Sequence, residues 1–426
     1  MAGRKNGAVA VLRNRDFLAL WLGQLVSRVG DNIATVAGLV LINEYANKPG
    51  IAVVVIAVVQ TIPSLFALAS GVLLDRFSRK WVMILTDLLR AGAVLLPLLV
   101  RRADQLFVLY IAAFVINALG AVFAPARNAS IPNMVKEEQL LTANALIQAT
   151  DLASLILGAS LATLMIGLFG TPAAFIMDSG SFILSAVLIF FARIPSAGQV
   201  AAAPATIGAF RSFWASFTEG LHYIRGHRFL LQLMAITLMA TLGLSATVLL
   251  AVAFFNKLFN VGSEYLGLLQ TMEGLGMAIG AVLVGIYASW ARSRRIVSGN
   301  MIFLGIATLT FAIAPRYWMV LMGALVVGLC VVSARSTLAA MTQALVPDIR
   351  RGRVESAMVT VTGLGTMGAL VLAGVGADII GPNGPRIIFF VTGLAVLAAG
   401  IVSIFTLRGT ERYLTDQMND SFLPQA

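Results

Sequence analysis

The sequence is poor in charged residues. Only 12% of its 426 residues are Asp, Glu, Lys or Arg, whereas 59% are hydrophobic, and the mean hydropathy is +0.91. Soluble globular domains carry about 25% charged residues. The composition therefore excludes a soluble protein and predicts a polytopic membrane protein.

Cysteine and histidine are equally scarce. The single cysteine, Cys330, lies in an apolar run, which excludes a disulfide framework. The two histidines, His222 and His227, are too few for a metal site. The sequence also offers no set of nucleophile and base and no phosphate-binding glycine loop. We therefore expect no catalytic residue, no metal and no cofactor, and hence not an enzyme.

Long apolar runs dominate the chain, and a transmembrane helix needs about 20 such residues. The first run is too long for the core of a signal peptide, so we interpret it as a span. Two polar stretches, after the fourth and tenth runs, are expected at the membrane surface. The predicted spans are 17–43, 51–74, 81–100, 105–126, 141–168, 172–192, 229–256, 264–289, 295–314, 317–339, 354–380 and 385–407.

The basic residues fall mainly on one side of these spans. With the N-terminus inside, 21 of the 30 Lys and Arg residues lie on the inner side, six on the outer side and three within spans. Cytoplasmic loops carry such an excess, so both termini are expected in the cytoplasm. The net charge of +11 is explained in the same way, and no nucleic-acid partner is expected.

An internal repeat relates the two halves of the chain. At an offset of 213 residues, identical residues meet in each predicted half, namely Arg15 with Arg228, Gly30 with Gly243, Asn43 with Asn256 and Pro172 with Pro385. We predict a six-span N-terminal half (1–192), a cytoplasmic linker with an amphipathic helix (193–228) and a six-span C-terminal half (229–426). Two such halves with a site between them at the bilayer midplane are typical of secondary transporters.

The loop between the second and third predicted spans, GVLLDRFSRK, carries a recognisable motif. It resembles the Gly-x-Leu-x-Asp-Arg-x-Gly-Arg-Lys/Arg signature of the major facilitator superfamily, with Ser78 in place of the second glycine. The matching residues are Gly71, Leu73, Asp75, Arg76, Arg79 and Lys80. The resemblance implies a conformational latch formed by Gly71, Asp75, Arg76, Arg79 and Lys80.

Further segments resemble one bacterial branch of this superfamily, the macrolide-efflux proteins and the enterobactin exporter, and more weakly the lysophospholipid transporters. They are NRDFLALWLGQLVSRVGDN, TDLLRA (86–91), PARNASIPNMVKEEQLLTANAL (125–146) and AAFIMDSGSFILSA (173–186). The resemblance implies an all-α protein of 12 transmembrane helices in two pseudo-symmetric six-helix halves, located in the bacterial inner membrane. One departure concerns the Gly-Pro-x-x-Gly-Gly motif of drug antiporters, because Ala159 replaces its proline.

Several ionisable residues lie inside predicted spans, where charge is costly. Glu273 has no basic neighbour in sequence; burial disfavours its charged form, which suits a proton carrier. Asp31 and Asp151 are the next candidates for proton coupling. Arg28 lies one turn from Asp31, and the two form either a cavity pair that orients substrate or a self-neutralised pair that orders the span.

The remaining intramembrane charges have structural alternatives. Asp178 is either a cavity residue or a hydrogen-bonding group between helices. Arg127 and Arg335 occupy equivalent positions of the repeat, at inner helix ends. These two residues, and Asp87 with Arg90, are expected to be structural pairs or groups that extend toward the membrane surface.

The expected cavity wall is apolar and adaptable, with Met272, Met277 and Met358 as polarizable contacts. This favours a small amphipathic substrate over a sugar. We expect a monomeric exporter that works by alternating access and proton antiport, with protons and membrane lipids as its other partners. A lysophospholipid flippase of the same fold and a non-transporting membrane receptor remain the alternatives.

Overall fold

The computed structural model describes residues 8–65, 77–194, 207–241, 265–287, 293–346, 348–381 and 383–407. Within these ranges the chain is built from helices joined by short turns, and they contain no β-strand. The chain divides into two compact units. The first holds residues 1–209 and 262–271, and the second holds residues 210–261 and 272–426.

In the described residues up to 194, the first unit contains seven helices in chain order. They are α1 (Ala8–Leu12), α2 (Arg15–Tyr45), α3 (Pro49–Leu65), α4 (Arg79–Ala93), α5 (Leu106–Ser130), α6 (Leu140–Phe169) and α7 (Thr171–Phe191). Helix α2 packs against α6 and α7, and α4 packs against α5 and α7. This arrangement places α2, α4, α5 and α7 around one interior.

The described residues of the second unit also form helices. They are α8 (Ile207–Gly226), α9 (Arg228–Thr241), α10 (Tyr265–Tyr287), α11 (Ser293–Ile313), α12 (Tyr317–Leu345), α13 (Asp348–Ile380) and α14 (Gly384–Thr406). The unit takes in α8 from Phe210 onward and α10 from Met272 onward. Helix α11 packs along α14 and α12, and the rings of Phe311 and Phe389 lie 5.6 Å apart at the core of the α11–α14 pair.

Local sequence explains several helix boundaries. Asn14 begins α2 as an N-cap, and its side-chain oxygen accepts the backbone N–H groups of Asp16 and Phe17 at 3.0 and 3.3 Å. Gly170 separates α6 from α7 at φ +78°, a conformation that favours glycine. Gly381 takes φ +84° between α13 and α14. Each of these two turns therefore depends on a glycine with a positive φ.

Among the residues that the structure describes, ten helices are long and apolar enough to cross a membrane. They correspond to ten of the twelve predicted spans and confirm an all-α membrane protein. The described parts of the other two predicted spans, 50–63 and 228–241, are shorter apolar helices that adjoin residues outside the described ranges. The count of twelve, the domain boundaries at 192 and 229 and the side of each terminus stay predictions.

The two polar stretches expected at the membrane surface are largely helical. Helix α5 continues past the predicted end at 126 to Ser130, and a 3₁₀ turn follows at Ile131–Asn133. Helix α12 runs to Leu345, and α13 begins at Asp348 rather than at 354. Hydropathy ended the fourth span just before Arg127, whereas α5 continues because that side chain finds polar partners.

Candidate functional site

A buried ion pair lies between α4 and its neighbours. Asp87 is fully buried and its Oδ1 lies 3.7 Å from Arg90 Nη1, while its Oδ2 accepts the Ser185 hydroxyl at 2.7 Å. The Arg90 guanidinium also lies 5.4 Å from the ring centroids of both Phe123 and Phe182. The sequence predicted this pair as structural, and the structure confirms the pairing.

Two more carboxyl groups adjoin this pair. Asp178 on α7 is 1% exposed, and its Oδ1 accepts the Ser181 hydroxyl at 3.0 Å. The same oxygen lies against the backbone of Gly30, the residue before Asp31. The Asp31 carboxyl interacts electrostatically with Arg90 and with the carboxyls of Asp87 and Asp178. Helices α2, α4 and α7 thus bring three carboxyl groups around one guanidinium.

Arg28 has a different ion-pair partner from the one that the sequence suggested. Its Nε lies 3.6 Å from Asp151 Oδ1 on α6, although its charge still acts on Asp31 one turn away. The side chains of Arg28 and Asp151 are 42% and 48% exposed, in the middle of two apolar helices. They line a small cleft that also includes Gln24, Trp21 and Arg127.

Arg127 is buried by polar partners that sequence reasoning missed. Its Nη1 donates to Gln24 Oε1 at 3.2 Å, and its Nε and Nη2 donate to Asn128 Oδ1 at 3.2 and 3.1 Å. The sequence related Arg127 to Arg335 as equivalent positions of the repeat, and the hydrogen-bond partners observed for Arg127 are neutral. The sequence signal for this contact was Gln24, a polar residue inside an apolar span.

The candidates in the second unit lie on two helices. Glu273, Met272 and Met277 are partly buried on α10, and Met358 on α13 is partly buried with its sulfur 3.9 Å from the Thr342 hydroxyl. A side chain at Gly328 of α12 would meet the backbone of α10 at Glu273. Within the part of the chain that the structure describes, Glu273 has no ion-pair partner.

The loop signature is only partly described. Gly71, Asp75 and Arg76 lie outside the described residues. Arg79 Nη1 donates to the Ala129 carbonyl at 2.7 Å, near the end of α5. Lys80 Nζ donates to the carbonyls at the end of α7, at 2.6 Å from Phe190 O and 2.9 Å from Ala192 O. Both cations therefore hold helix C-termini within the first unit, where a positive charge is favourable.

The linker segment 207–226 forms the predicted helix, α8. Trp214 is exposed on it and stacks at 5.3 Å on Phe217. Further along, Glu219 forms an ion pair with Arg353 of α13, and Arg350 lies 5.0 Å from the centroid of the Tyr223 ring. These contacts fix α8 to α13 in the second unit.

Comparisons with known proteins assign this architecture to a family. Residues 6–421 match the family described as transmembrane secretion effector. Macrolide efflux protein A of Streptococcus pyogenes is 25% identical over 395 residues, covering 91% of this chain and 94% of that protein. The multidrug efflux pump Tap of Mycolicibacterium fortuitum is 27% identical over 404 residues, covering 92% and 95% of the two chains.

Solved structures show the same fold. A bacterial homologue of the iron transporter ferroportin, in its inward-facing state, aligns with a TM-score of 0.70 at 18% identity and covers 92% of this chain and 99% of that one. A peptide transporter aligns with a TM-score of 0.69 at 11% identity, covering 93% and 95%. The fold is what these structures share with the chain, whereas the macrolide and multidrug efflux proteins support an efflux transporter rather than an enzyme. The chain belongs to the transmembrane secretion effector family of the major facilitator superfamily.

Proposed function

We propose that this protein exports hydrophobic or amphipathic small molecules by alternating access, in exchange for protons. The observation that carries the proposal is the half-exposed Arg28–Asp151 pair in the middle of two apolar helices. An ion pair facing lipid at that depth is costly, so intramembrane charges face a protein interior or a water-filled cavity. The pair therefore supports a hydrated path beside α2 and α6.

The substrate class is supported by the relatives and by the apolar candidate wall. The relatives carry the names macrolide efflux protein and multidrug efflux pump, and another, of Bacillus amyloliquefaciens, is a putative bacilysin exporter. Met272, Met277 and Met358 offer flexible, polarizable contacts that suit large apolar solutes of varied shape. We accordingly assign them to the substrate-contacting wall.

The proposed cycle uses a carboxyl group as the element that takes up and releases the proton. A deprotonated carboxylate facing the cytoplasm permits substrate to bind. Opening to the outside releases substrate and lets the carboxylate take up a proton, and the protonated form returns inward. Asp31 and Glu273 are the proposed carriers, whereas Asp151 is the ion-pair partner of Arg28. The proposed two-state element is the rocking of one half on the other.

The test is transport by purified protein in liposomes with an acidic lumen. Protons leaving the lumen should drive a radiolabelled macrolide inward, above its equilibrium level, and a protonophore should abolish the accumulation. A fluorescent lysophospholipid in a parallel experiment tests the lipid alternative. Accumulation of the lysophospholipid alone would replace the drug proposal, and accumulation of the macrolide that ignores the protonophore would remove the proton from it.

Asp151→Asn provides the structural arm of this test. The change leaves Arg28 without its partner, so we expect at least a tenfold slower accumulation from a protein that still elutes as a single species. Asp104→Asn is the matched control, because Asp104 pairs with Arg102 at 3.5 Å on the exposed surface. Equal rates for both variants would show that the half-exposed pair has no part in transport.

A further inference from the structure

The interior charges of the first unit do not balance. Counting Arg90 and the buried Arg127 but leaving aside the other charged residues in the outermost turns, helices α2 to α7 carry four carboxyl groups and three guanidinium groups, and α3 carries neither. They are Asp31, Asp87, Asp151 and Asp178 against Arg28, Arg90 and Arg127. Full ionisation would leave this network with one negative charge in excess.

An unbalanced charge among apolar helices is unfavourable, and a group in this position takes up a proton instead. One proton makes the network neutral. Asp87 and Asp151 each have a guanidinium nitrogen within 3.7 Å as an ion-pair partner. The excess therefore falls on Asp31 and Asp178, which lack such a partner within the described residues.

The packing of α2 against α7 brings the Asp178 carboxyl to the residue before Asp31. Asp178 Oδ1 lies against Gly30, so the α7 carboxyl touches the α2 backbone one residue from Asp31. The carboxyls act on each other electrostatically, and Arg90 acts on both. Two neighbouring carboxyl groups hold one proton more readily than none, because like charges at short range disfavour double ionisation.

We propose that Asp31 and Asp178 share one exchangeable proton. When the proton leaves, one carboxyl O–H bond breaks, water accepts the proton and the pair becomes doubly ionised. Asp178 is closed to water at 1% exposure, whereas Asp31 is partly exposed beside Arg28. The proton thus enters and leaves at Asp31, and Asp178 holds it inside. Resting on the proposed function, this is the proton exchanged for substrate, and Asp178 joins Asp31 as its carrier.

The test is infrared spectroscopy of the purified protein across a pH titration, reading the carbonyl stretch of protonated carboxylic acids. Asp178→Asn and Asp31→Asn should each remove one titrating carboxyl, because either change leaves three carboxyls facing three guanidiniums. Asp104→Asn, on the exposed surface, and Glu273→Gln, in the second unit, should both keep that carboxyl.

The outcomes separate this inference from transport itself. Loss of the titrating carboxyl in both aspartate variants supports the shared proton, and its survival in either variant overturns it. If Asp178→Asn does not elute as a single species, the test depends on whether Asp31→Asn removes the titrating carboxyl. Loss of the titrating carboxyl in Glu273→Gln alone would place the proton on α10. If macrolide does not accumulate in the liposomes, the proposed function is refuted, whereas the infrared result for the shared proton is unaffected.

Discussion

Replacing Arg90 with glutamine should destabilise the protein by about 3–5 kcal/mol, the cost of removing one partner of a buried ion pair. The Arg90 side chain is 12% exposed and Asp87 is fully buried, so water cannot replace the lost charge. The Ser185 hydroxyl bond to Asp87 stays in place. Without Arg90, the Asp87 carboxylate can take up a proton. The destabilisation that comes from Asp87 therefore cannot exceed about 4 kcal/mol, the cost of protonating an ordinary aspartate at pH 7.

A second substitution should recover most of that loss. Asp87→Asn in the Arg90→Gln background removes the orphaned charge and keeps an acceptor for Ser185. The remaining deficit comes from the two aromatic contacts with Phe123 and Phe182 and the Arg90 bond to the Ile116 carbonyl. These contribute about 1–2 kcal/mol together.

The assay is the midpoint temperature for loss of the monodisperse peak after heating in detergent. Arg102→Gln is the matched control, since its pair with Asp104 is exposed and is worth below about 1 kcal/mol. If Arg90→Gln lowers the midpoint temperature no more than Arg102→Gln does, the cost assigned to the buried pair is refuted. A further loss of stability when Asp87→Asn is added to the Arg90 variant would refute it as well.

Three further predictions concern packing, the loop signature and topology. Gly328→Leu should cost about 3 kcal/mol by overpacking against the α10 backbone, whereas Gly363→Leu should change the heating midpoint little, because a Cβ added at Gly363 would meet no atom within 4 Å. Asp75→Asn should slow transport in a folded protein, and unchanged turnover would exclude a latch. Reporter fusions after residue 48 should read external and after residue 200 cytoplasmic; the reverse would invert the topology.

The local patterns of the sequence predict its helices well. Apolar runs of the required length locate ten of the spanning helices, and the amphipathic pattern of 207–226 predicts α8. The Asp87–Arg90 pair follows from spacing on one helix face, since residues three apart are neighbours. In each case the signal and the structure depend on residues that are close in sequence.

The sequence patterns do not predict contacts between residues that are distant in sequence. Spacing joins Arg28 to Asp31, yet its ion pair is with Asp151, which is 123 positions further along the chain. In the sequence, Asp178 is one of several polar residues in its span. Its contact with α2 at Gly30 is visible only in the structure. Hydropathy measures how apolar a helix is and carries no information on which helix it meets.

Proton movement that accompanies substrate entry is the decisive measurement for proton-coupled export. Liposomes containing the protein, with a pH dye in the lumen and no initial pH gradient, are given an inward gradient of radiolabelled macrolide. We expect the lumen to become more alkaline as label enters, faster than in protein-free liposomes, and Asp178→Asn to admit label without the added alkalinisation. Entry of label through the unmodified protein with no alkalinisation beyond the protein-free rate would contradict proton antiport.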